Sequence, residues 1–451
     1  MWVVLWTDGL VWLLCAAWLL YVGYCLFDAH RRTPWQRVFS QRSAVIAAVV
    51  LLAFALIGLL DSLHYRAQLS TTSAEQRYSG EVRSALDWLL PHLRERNEKT
   101  YSAPLATHSF MRETIDHADG GVRRVFVRLR YGGAHLADPS HVWTDVVQRA
   151  GAGLIVAILG WCVVGLYVRT WYARMPQIKL RTAWWTIGVL SAWCVPVLFL
   201  STHYHVFGTD KVGQDVLYLA LKSVRTSLAI GTLATLVMLP LGVVLGMMAG
   251  YFRGWVDDLI QYLYTTLNSI PGVLLIAATV LMMQVYIDTH PNLFPTAAQR
   301  ADLRLLFLCL ILGLTNWTGL ARLLRGETLK LSTLDYIQAA HAFGVSHPRI
   351  LLRHLLPNVM HLVIISLVMD FSGLVLAEAV LSYVGVGVDP STTSFGTMIN
   401  AARLEMAREP MVWWPLATVF IAMFVLVLSA NLFADAVRDG FDPRLRHAPS
   451  D

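Results

Sequence analysis

Two carboxylates, Asp370 and Glu378, lie inside an otherwise apolar stretch of the sequence. An ionised carboxylate is costly in hydrocarbon unless it is paired or hydrated, so such residues mark either a polar pathway or a bond between helices. On one helix, their separation of eight positions would turn the two side chains about 80° apart. Lys222 and Arg225, near the start of another apolar stretch, are candidate partners. Intramembrane catalysis is less favoured, because this spacing matches no known catalytic pair.

Other patterns that carry chemistry are absent from the sequence. It has no Gly-x-x-x-x-Gly-Lys-Ser/Thr phosphate loop and no His-Glu-x-x-His zinc motif. The pair His203 and His205 is more typical of a solvated loop than of a metal site. All five cysteines lie in apolar stretches without metal-ligand spacing, and we expect them to pack as small apolar side chains. We therefore predict no catalytic residue, no bound metal and no cofactor bound directly by this chain.

A long polar segment, residues 324–358, separates two apolar stretches. Thr333 suits the position before a helix, where its hydroxyl could cap the first turn, and Asp335 adds a negative charge there. Gly344 is typical of a helix stop that turns the chain, and a second amphipathic segment is predicted to end at Pro357. Such a segment is either a helix at the lipid interface or a docking site for another protein, and these residues alone leave the choice open.

The elements that hold these residues are strongly apolar. The 451-residue chain is 56% hydrophobic and 15% charged, with a mean hydropathy of +0.53. This composition predicts a polytopic membrane protein embedded in a lipid bilayer, and the small net charge of +6 does not require nucleic acid as a partner. Nine stretches are long enough to span a bilayer: Val3–Phe27, Ala44–Leu60, Gly151–Val168, Ala183–Ser201, Leu217–Gly250, Leu259–Tyr286, Leu303–Leu323, Val359–Val386 and Val412–Phe433.

Arginine and lysine residues assign the orientation of these spans. Four basic segments, at residues 28–42, 169–181, 322–353 and from 438 onward, fall on the same side of the predicted membrane when nine spans are counted. Short basic loops stay in the cytoplasm, so we predict an N-terminus outside the cytoplasm and a C-terminus inside it. The agreement of four separate loops supports the number of spans.

The longest hydrophilic segment, residues 62–149, would then lie outside, because long loops cross the membrane regardless of their charge. We name it the outer domain. Helical periodicity over Glu75–Leu93 and alternation over Val125–Leu129, before the pair Gly132-Gly133, predict a small α/β domain. Its arginines could bind an acidic partner, but a solvated face is the simpler interpretation.

The segment 324–358 resembles the coupling loop of ATP-binding cassette (ABC) importer permeases, whose pattern is Glu-Ala-Ala, three residues and Gly, followed by Leu-Pro. The corresponding residues are Gln338-Ala339-Ala340, Gly344 and Leu356-Pro357, with Gln in place of Glu. A second motif, Gly208-Thr209-Asp210-Lys211-Val212-Gly213-Gln214-Asp215, resembles an outer segment of dipeptide, oligopeptide and nickel permeases. Further matches follow in the family's order: Arg225–Leu228, Ala249–Asp257, Gly319–Arg322, Ala377–Gly387 and Asp439–Arg446.

The resemblance covers residues 183–446 and implies the transmembrane fold of type I ABC importers, with six spans, as the second permease subunit of a peptide importer in the bacterial inner membrane. Residues 1–180 form an extension with three further spans and the outer domain. The expected fold is therefore an all-α polytopic membrane protein with a small periplasmic α/β insert. The implied partners are a second homologous permease subunit forming a heterodimer, two ATP-binding subunits that hold ATP and Mg²⁺, and a periplasmic solute-binding protein.

Three groups of residues are candidate sites. The resemblance implies ATPase coupling at Asp335, Gln338, Ala339, Ala340, Gly344, Arg349 and Pro357. The candidate translocation pathway comprises Asp370, Glu378 and Arg225, although the place of Glu378 in the family pattern slightly favours a structural bond for that residue. The outer motif contributes Gly208, Thr209, Asp210, Gly213 and Asp215.

The predicted function is that of a non-catalytic permease subunit that imports peptides or peptide-like solutes, with ATP hydrolysed by its partners. The alternative is a membrane sensor or scaffold that transports nothing and uses the outer domain for sensing. For residues 1–180 we predict an accessory role, in contact with the binding protein or the partner permease. The sequence does not name the transported solute.

Overall fold

The computed structural model describes residues 2–27, 29–68, 78–116, 122–172, 179–290, 293–294, 296–389 and 391–441. Arg174, Glu75 and the tail Asp442–Arg446, which entered the predictions, lie outside the described residues. The helices are α1 (Trp6–Phe27), α2 (Ala29–Ser40), α3 (Arg42–Ser62), α4 (Ala85–Leu89), α5 (Pro91–Glu95), α6 (Val142–Tyr172), α7 (Leu180–Ser201), α8 (Val216–Phe252), α9 (Gly254–Ser269), α10 (Gly272–Thr289), α11 (Ala297–Leu331), α12 (Asp335–Ala342), α13 (His347–Ile350), α14 (Leu356–Val384), α15 (Phe395–Glu405) and α16 (Trp414–Phe441). The strands are β1 (Trp2–Val3), β2 (His64–Gln68), β3 (Tyr78–Ser84), β4 (His108–Asp116) and β5 (Val122–Arg128).

Within these residues, nine helical segments are long and apolar enough to cross a membrane, so the predicted number of spans is confirmed. The sixth span is shorter than predicted, because residues 259–286 do not form one helix. Between α9 and α10, Ile270 is extended at φ −89° and ψ 130°, and Pro271 precedes the first residue of α10. Proline lacks the N–H that would continue α9 and disfavours a helical conformation in the residue before it. Pro196 and Pro240, in contrast, lie inside α7 and α8.

The prediction that the second amphipathic segment ends at Pro357 is wrong. α13, a π turn at Leu351–Leu355 and α14 follow one another without a break as the segment His347–Val384, and Pro357 lies in the first turn of α14. A proline inside a regular α-helix clashes with the carbonyl four residues earlier. Here the N–H of Leu356 bonds the carbonyl of Leu351, and this wider turn allows the helix to continue past the proline.

The chain forms two compact units. The first comprises Met1–Val4, Phe39–Thr226 and Thr393–Ser429, and it contains the five strands, α3–α7, α15 and the first turns of α8. The second comprises Leu5–Val38, Ser227–Thr392 and Ala430–Asp451, and it contains α1, most of α8 and α9–α14. Each unit therefore includes residues from both the extension and the predicted permease domain. The boundary near residue 180 stays a prediction about domains.

Two small antiparallel sheets belong to the first unit. β1, β2 and β3 form one sheet, in which Val3 lies opposite His64 and His64 lies opposite Ser84. β4 and β5 form a hairpin. The strand predicted at Val125–Leu129 is therefore confirmed by β5, which ends one residue earlier.

The helix predicted for Glu75–Leu93 is wrong over residues 78–84, which form β3. The first helical turn starts only after Ser84, where a capping box fixes the boundary. The N–H of Ser84 donates to Asp87 at 2.9 Å, and the N–H of Asp87 donates to the Ser84 hydroxyl at 3.2 Å. Such a box marks a helix start, and Pro91 then begins the separate helix α5.

A reciprocal tryptophan pair holds α6 against α7 in the first unit. The rings of Trp161 and Trp184 stack with centroids 4.2 Å apart. Each indole N–H donates to the other residue's carbonyl, at 2.8 Å from Trp161 and 3.2 Å from Trp184. A Cβ at Gly188 would lie 2.5 Å from Nε1 of Trp161, and one at Gly165 would lie 2.9 Å from Nε1 of Trp184. The two glycines therefore provide the space that close approach of these membrane helices requires.

The second unit has an apolar core to which α8, α10, α11 and α14 contribute. Ile230 and Leu308 are among its buried members, and Leu10 of α1 packs against it. The N–H of Thr7, also in α1, bonds the Asp302 carboxylate of α11 at 3.2 Å. The first span of the extension is thus part of the same core as the helices of the predicted permease domain.

Candidate functional site

α12, which carries most of the predicted coupling residues, begins without a side-chain cap. Leu334 occupies the capping position. The capping role predicted for Thr333 is wrong, because its hydroxyl donates back to the carbonyl of Lys330 at 2.8 Å. The amide of Gln338 reaches over this turn, and its Nε2 donates to the carbonyl of Thr333 at 3.2 Å. A glutamate carboxylate cannot donate such a bond, so the glutamine supplies a local contact that the more usual residue would lose.

Gly344 ends α12 as predicted. Its backbone is left-handed, at φ +74°, a conformation that other residues adopt with strain. Its N–H bonds the carbonyl of His341 at 3.0 Å, and the N–H of Val345 bonds the carbonyl of Ala340 at 3.1 Å, which together form a Schellman motif. A Cβ at Gly344 would meet nothing within 4 Å. Within this chain, backbone conformation rather than packing therefore favours glycine at this position.

The coupling segment has a buried side and an exposed side. Ile337 is 2% exposed and packs with the buried residues Ile350 and Leu355. Phe343, at the end of α12, is 87% exposed. Of the predicted coupling residues, Ala340 is half-buried, and the others are exposed: Asp335, Gln338, Ala339, Gly344, Arg349 and Pro357. The segment therefore has an exposed surface, including a large aromatic ring, on a helix whose opposite side is anchored by the packing of Ile337.

Aromatic and histidine side chains join the end of α8 to this segment. The Tyr251 hydroxyl lies 2.8 Å from Nδ1 of His347, and the rings of His341 and His347 are 5.0 Å apart. Arg253 donates to the Ser332 hydroxyl at 3.0 Å. These contacts were not predicted, although Tyr251 and Arg253 belong to one of the matched motifs. They position α12 from a second helix.

The two carboxylates of α14 have different surroundings. Glu378 is fully buried, and its Oε1 accepts a hydrogen bond from the Ser382 hydroxyl at 2.7 Å. Asp370 is half-buried. Burial of a carboxylate within a span requires polar partners, and Ser382 is one such partner on the same helix. Whether either carboxylate lines a pathway stays a prediction.

Lys222 pairs with carboxylates other than the predicted ones. Its Nζ lies 2.7 Å from Asp61, at the end of α3, and 2.9 Å from Asp87 in α4. All three residues belong to the first unit, and both carboxylates are buried. The extension therefore supplies the partners of this lysine, which removes it as a predicted partner of Asp370 and Glu378. The pathway role of Arg225 stays a prediction.

The outer motif is a tightly folded turn. Gly208 and Gly213 are left-handed, at φ +72° and +78°. A Cβ at Gly213 would lie 1.9 Å from the carbonyl oxygen of Glu98, so this glycine is required by both conformation and close approach. The Asp210 carboxylate accepts two backbone N–H bonds of the turn, at 2.9 and 2.8 Å. The motif residues therefore hold the backbone in shape.

Thr209 connects the motif to two other segments. Its side chain is fully buried and donates to the carbonyl of Thr100 at 2.9 Å, while the N–H of Ser102 donates to its hydroxyl oxygen at 2.7 Å. Trp414, at the start of α16, donates its indole N–H to the Thr209 carbonyl at 3.0 Å. The outer domain and the start of α16 are thus both bonded to this one residue.

A buried histidine links the motif to the outer domain. Nδ1 of His205 lies 2.8 Å from Asp215, and its Nε2 lies 3.5 Å from Glu98. The Glu98 carboxylate also accepts the backbone N–H groups of residues 130, 131 and 132. We name Glu98, His205 and Asp215 the His205 latch. Asp215 additionally accepts the N–H of Leu217 at 2.8 Å in the first turn of α8, so the latch reaches a membrane helix.

Electrostatics favour the charged form of the latch. Burial would lower the pKa of His205, but the hydrogen bond to Asp215 and the negative charges of Asp215 and Glu98 outweigh burial and raise it to about 9. Burial would raise the pKa of Glu98, but the nearby His205 ring and hydrogen bonds from three backbone N–H groups outweigh burial and lower it to about 2. A cation therefore lies between two carboxylates near neutral pH.

The prediction that His203 and His205 lie in a solvated loop is wrong for His205, which is 5% exposed. His203 is half-buried and lies 3.1 Å from the guanidinium of Arg149. In the part of the chain that the structure describes, no group of three or more His, Cys, Asp or Glu could hold a metal ion. Glu98 was not predicted as a site residue, because nothing near it in the sequence indicates that its partner is a distant histidine.

Comparison with known proteins identifies relatives of this chain. Residues 242–447 match the family described as binding-protein-dependent transport system inner membrane component. Glutathione transport system permease protein GsiD of Pectobacterium atrosepticum is 33% identical over 244 residues, which are 54% of this chain and 73% of that protein. Dipeptide transport system permease protein DppC of Lactococcus lactis is 31% identical over 240 residues, which are 53% of this chain and 64% of that protein.

A longer alignment joins this chain to oligopeptide transport system permease protein OppC of Haemophilus influenzae, with 29% identity over 311 residues, or 68% of this chain and 89% of that protein. The family match, the order of the motifs and the six spans between residues 180 and 441 all indicate the same family. The chain therefore belongs to the family of binding-protein-dependent transport system inner membrane components, the permease subunits of ABC importers.

Proposed function

We propose that this chain is a permease subunit that moves peptides or peptide-like solutes across the inner membrane while partner subunits bind Mg²⁺ and hydrolyse ATP. The observation that carries the proposal is the form of α12 within a chain of this family. Ile337 packs the buried side of α12 against Ile350 and Leu355, Gly344 ends the helix, and Phe343 is exposed at its C-terminal end. The relatives named for glutathione, dipeptide and oligopeptide transport support the class of cargo.

The proposed assembly contains a second homologous permease subunit, forming a heterodimer with this chain, together with two ATP-binding subunits and a periplasmic solute-binding protein. The N-terminus would lie in the periplasm and the C-terminus in the cytoplasm. Residues 183–446 would form the permease domain, and residues 1–180 the extension, with an accessory role on the periplasmic side.

Coupling would use the continuity of the helix that follows α12. Closure of the ATP-binding subunits would displace α12, and the packing of Ile337 on Ile350 and Leu355 would transmit that displacement to the segment His347–Val384. The same segment carries Asp370 and Glu378, so a rigid-body movement of this helix would change the surroundings of both carboxylates.

The test is Gly344→Asp in the complete transporter, with uptake of a labelled peptide and ATPase activity measured in proteoliposomes. The chain has space for the new side chain, but the carboxylate would lie on the exposed side at a helix C-terminus, where negative charge is unfavourable. We expect uptake to be lost while the protein remains in the membrane. Gly385→Asp is the matched control, because Gly385 is also left-handed, at φ +88°, with open space around its Cβ. It follows the C-terminal end of α14, whereas the coupling segment precedes the N-terminal end of that helix.

Normal uptake by Gly344→Asp would contradict the coupling assignment. Co-purification of the chain with its partner subunits distinguishes the permease proposal from the sensor alternative. If the unaltered chain retains no ATP-binding subunits and transports no peptide with any solute-binding protein of its own system, the permease proposal itself is wrong.

A further inference from the structure

We propose that the outer domain and residues 2–4, which pair with its first strand, rest on the lipid bilayer through an interfacial patch made of Trp2, Val4, Trp88 and Leu89. All four side chains are exposed, Trp2 by 70% and Trp88 by 73%. The partner that we infer is the headgroup region of the membrane, on the side where α3 ends and α8 begins. The proposal depends on the membrane spans of the first unit and not on the transported solute.

Contacts with two membrane helices fix the depth of α4. Asp87 of α4 pairs with Lys222 at 2.9 Å and accepts a hydrogen bond from the Tyr218 hydroxyl at 2.9 Å. Lys222 lies in the second turn of α8, about 9 Å along the axis from its first residue. It also pairs with Asp61, in the last turn of α3. The residues that follow Asp87, Trp88 and Leu89, therefore lie level with the ends of both helices rather than in the water beyond them.

The first strand reaches the same level. Val3 pairs with His64, and His64 pairs with Ser84, so these three residues form one row across the sheet. His64 lies two residues after Ser62, the last residue of α3, and Ser84 directly precedes α4. Trp2 and Val4 flank Val3, within one residue of this row. Both parts of the patch are thus tied to the end of α3 by hydrogen-bonded backbone.

The chemistry of the patch fits a lipid interface better than water. Tryptophan has a large apolar ring and one N–H donor, and it is enriched where a membrane meets water. Large apolar residues grouped in this way are unfavourable in contact with water and mark an interaction surface. The depth of the patch, level with the helix ends, selects lipid as the surface that reaches it.

The test is photocrosslinking of the full chain in native membranes, with p-benzoylphenylalanine at position 88 and, in a second variant, at position 2. Position 193 is the lipid reference, because Trp193 is 70% exposed in α7. Position 95 is the water reference, because the Glu95 carboxylate is 64% exposed in α5 of the same domain. We expect lipid adducts at positions 88 and 2 with yields within a few-fold of position 193 and several-fold above position 95.

Two results would overturn the proposal. Crosslinks from position 88 to another polypeptide would assign the patch to a protein partner, and no adduct at positions 88 and 2, with position 193 positive, would show that the patch faces water. Because the two positions lie on separate elements, poor folding of one variant leaves the other as a test. Peptide uptake is not measured, so a failure of the permease proposal would not affect the outcome.

Discussion

Glu98→Gln would weaken the His205 latch with a change of one functional group. The Glu98 carboxylate accepts backbone N–H bonds on both oxygens, from Tyr131 and Gly132 on Oε1 and from Arg130 on Oε2. An amide has one acceptor oxygen, so its NH2 group would face at least one of these donors. The substitution would also remove a negative charge that lies 3.5 Å from His205.

The expected loss follows from the burial of these groups. Glu98 is 8% exposed and His205 is 5% exposed, so the free-energy costs measured for buried hydrogen-bond and ion-pair partners apply to them. A buried N–H without an acceptor costs about 1–3 kcal/mol, and removal of one member of a buried ion pair costs about 3–5 kcal/mol in all. At about 1.4 kcal/mol for each factor of ten, local opening around residue 98 should become more frequent by about two to three and a half orders of magnitude.

Hydrogen–deuterium exchange with mass spectrometry measures this opening in the purified protein. Peptides covering residues 97–102 and 130–133 should lose protection in Glu98→Gln. Glu113→Gln is the control, because Glu113 pairs with Lys99 at 2.6 Å and the lysine is 79% exposed; such pairs contribute about 0–1 kcal/mol. Exchange within about threefold of the unaltered protein, where opening follows the free energy, would refute the reasoning.

The pH dependence gives an independent test of the same latch. The pKa of His205 is raised in the folded protein to about 9, so its contribution to stability is complete below its ordinary pKa of about 6.5 and is lost as the pH rises through 9. The pKa of Glu98 is lowered to about 2, so its contribution is present above about 4.5 and is lost as the pH falls through about 2. Protection at residues 97–102, corrected for intrinsic exchange, should therefore be greatest between about pH 5 and 6.5, and Glu98→Gln should remove the decline on the acid side.

Three further substitutions test contacts that hold other helices in place. Gly188→Leu should lower stability by about 1–3 kcal/mol, because a Cβ there would lie 2.5 Å from Nε1 of Trp161; thermal unfolding in detergent should show this, whereas Gly160→Leu, with nothing within 4 Å of its Cβ, should be neutral, and equal shifts would contradict the packing argument. Lys222→Met should remove the ammonium group that pairs with both Asp61 and Asp87, although Arg94 still lies 3.5 Å from Asp87. The expected cost is about 3–5 kcal/mol, so unchanged exchange in α4 would show that the lysine is dispensable. Asp257→Asn should weaken the bidentate bond from Arg325, at 2.6 and 2.7 Å, and lower stability by about 1–3 kcal/mol. Faster exchange in the first turn of α9 is expected, and unchanged exchange there would show that this bond does not stabilise the helix.

Features that depend on a few neighbouring residues could be predicted from the sequence. The number of spans follows from runs of apolar residues, β5 follows from alternation, and the end of α12 follows from the preference of glycine for the left-handed conformation at Gly344. Each of these signals is contained within one element. Their agreement with the structure shows that local chemistry and tertiary packing favour the same result there.

Features that depend on distant partners could not be predicted in this way. Pro240 and Pro271 both lie in apolar surroundings, yet one is inside a helix and the other separates two. His205 has polar and aromatic neighbours that suggest exposure, but its burial depends on Glu98, which a separate segment supplies. Likewise, residues 78–84 of the predicted helix Glu75–Leu93 form a strand, because pairing with β2 outweighs their helical periodicity. Short segments of mixed periodicity are ambiguous without knowledge of what they pack against.

The π turn at Leu351–Leu355 sets the angular relation between the coupling segment and the rest of α14. One residue added to an α-helix rotates everything before it by about 100° relative to everything after it. A π turn accommodates one extra residue within a single widened turn. The helix faces before and after it are therefore aligned with each other as they would be in a regular α-helix without that residue. The widened turn also accommodates Pro357, which directly follows Leu356. The extra residue of the π turn and Pro357 should therefore occur together. A relative that lacks the extra residue should also lack the proline, and its helix faces on both sides of this position should point in the same directions as they do here.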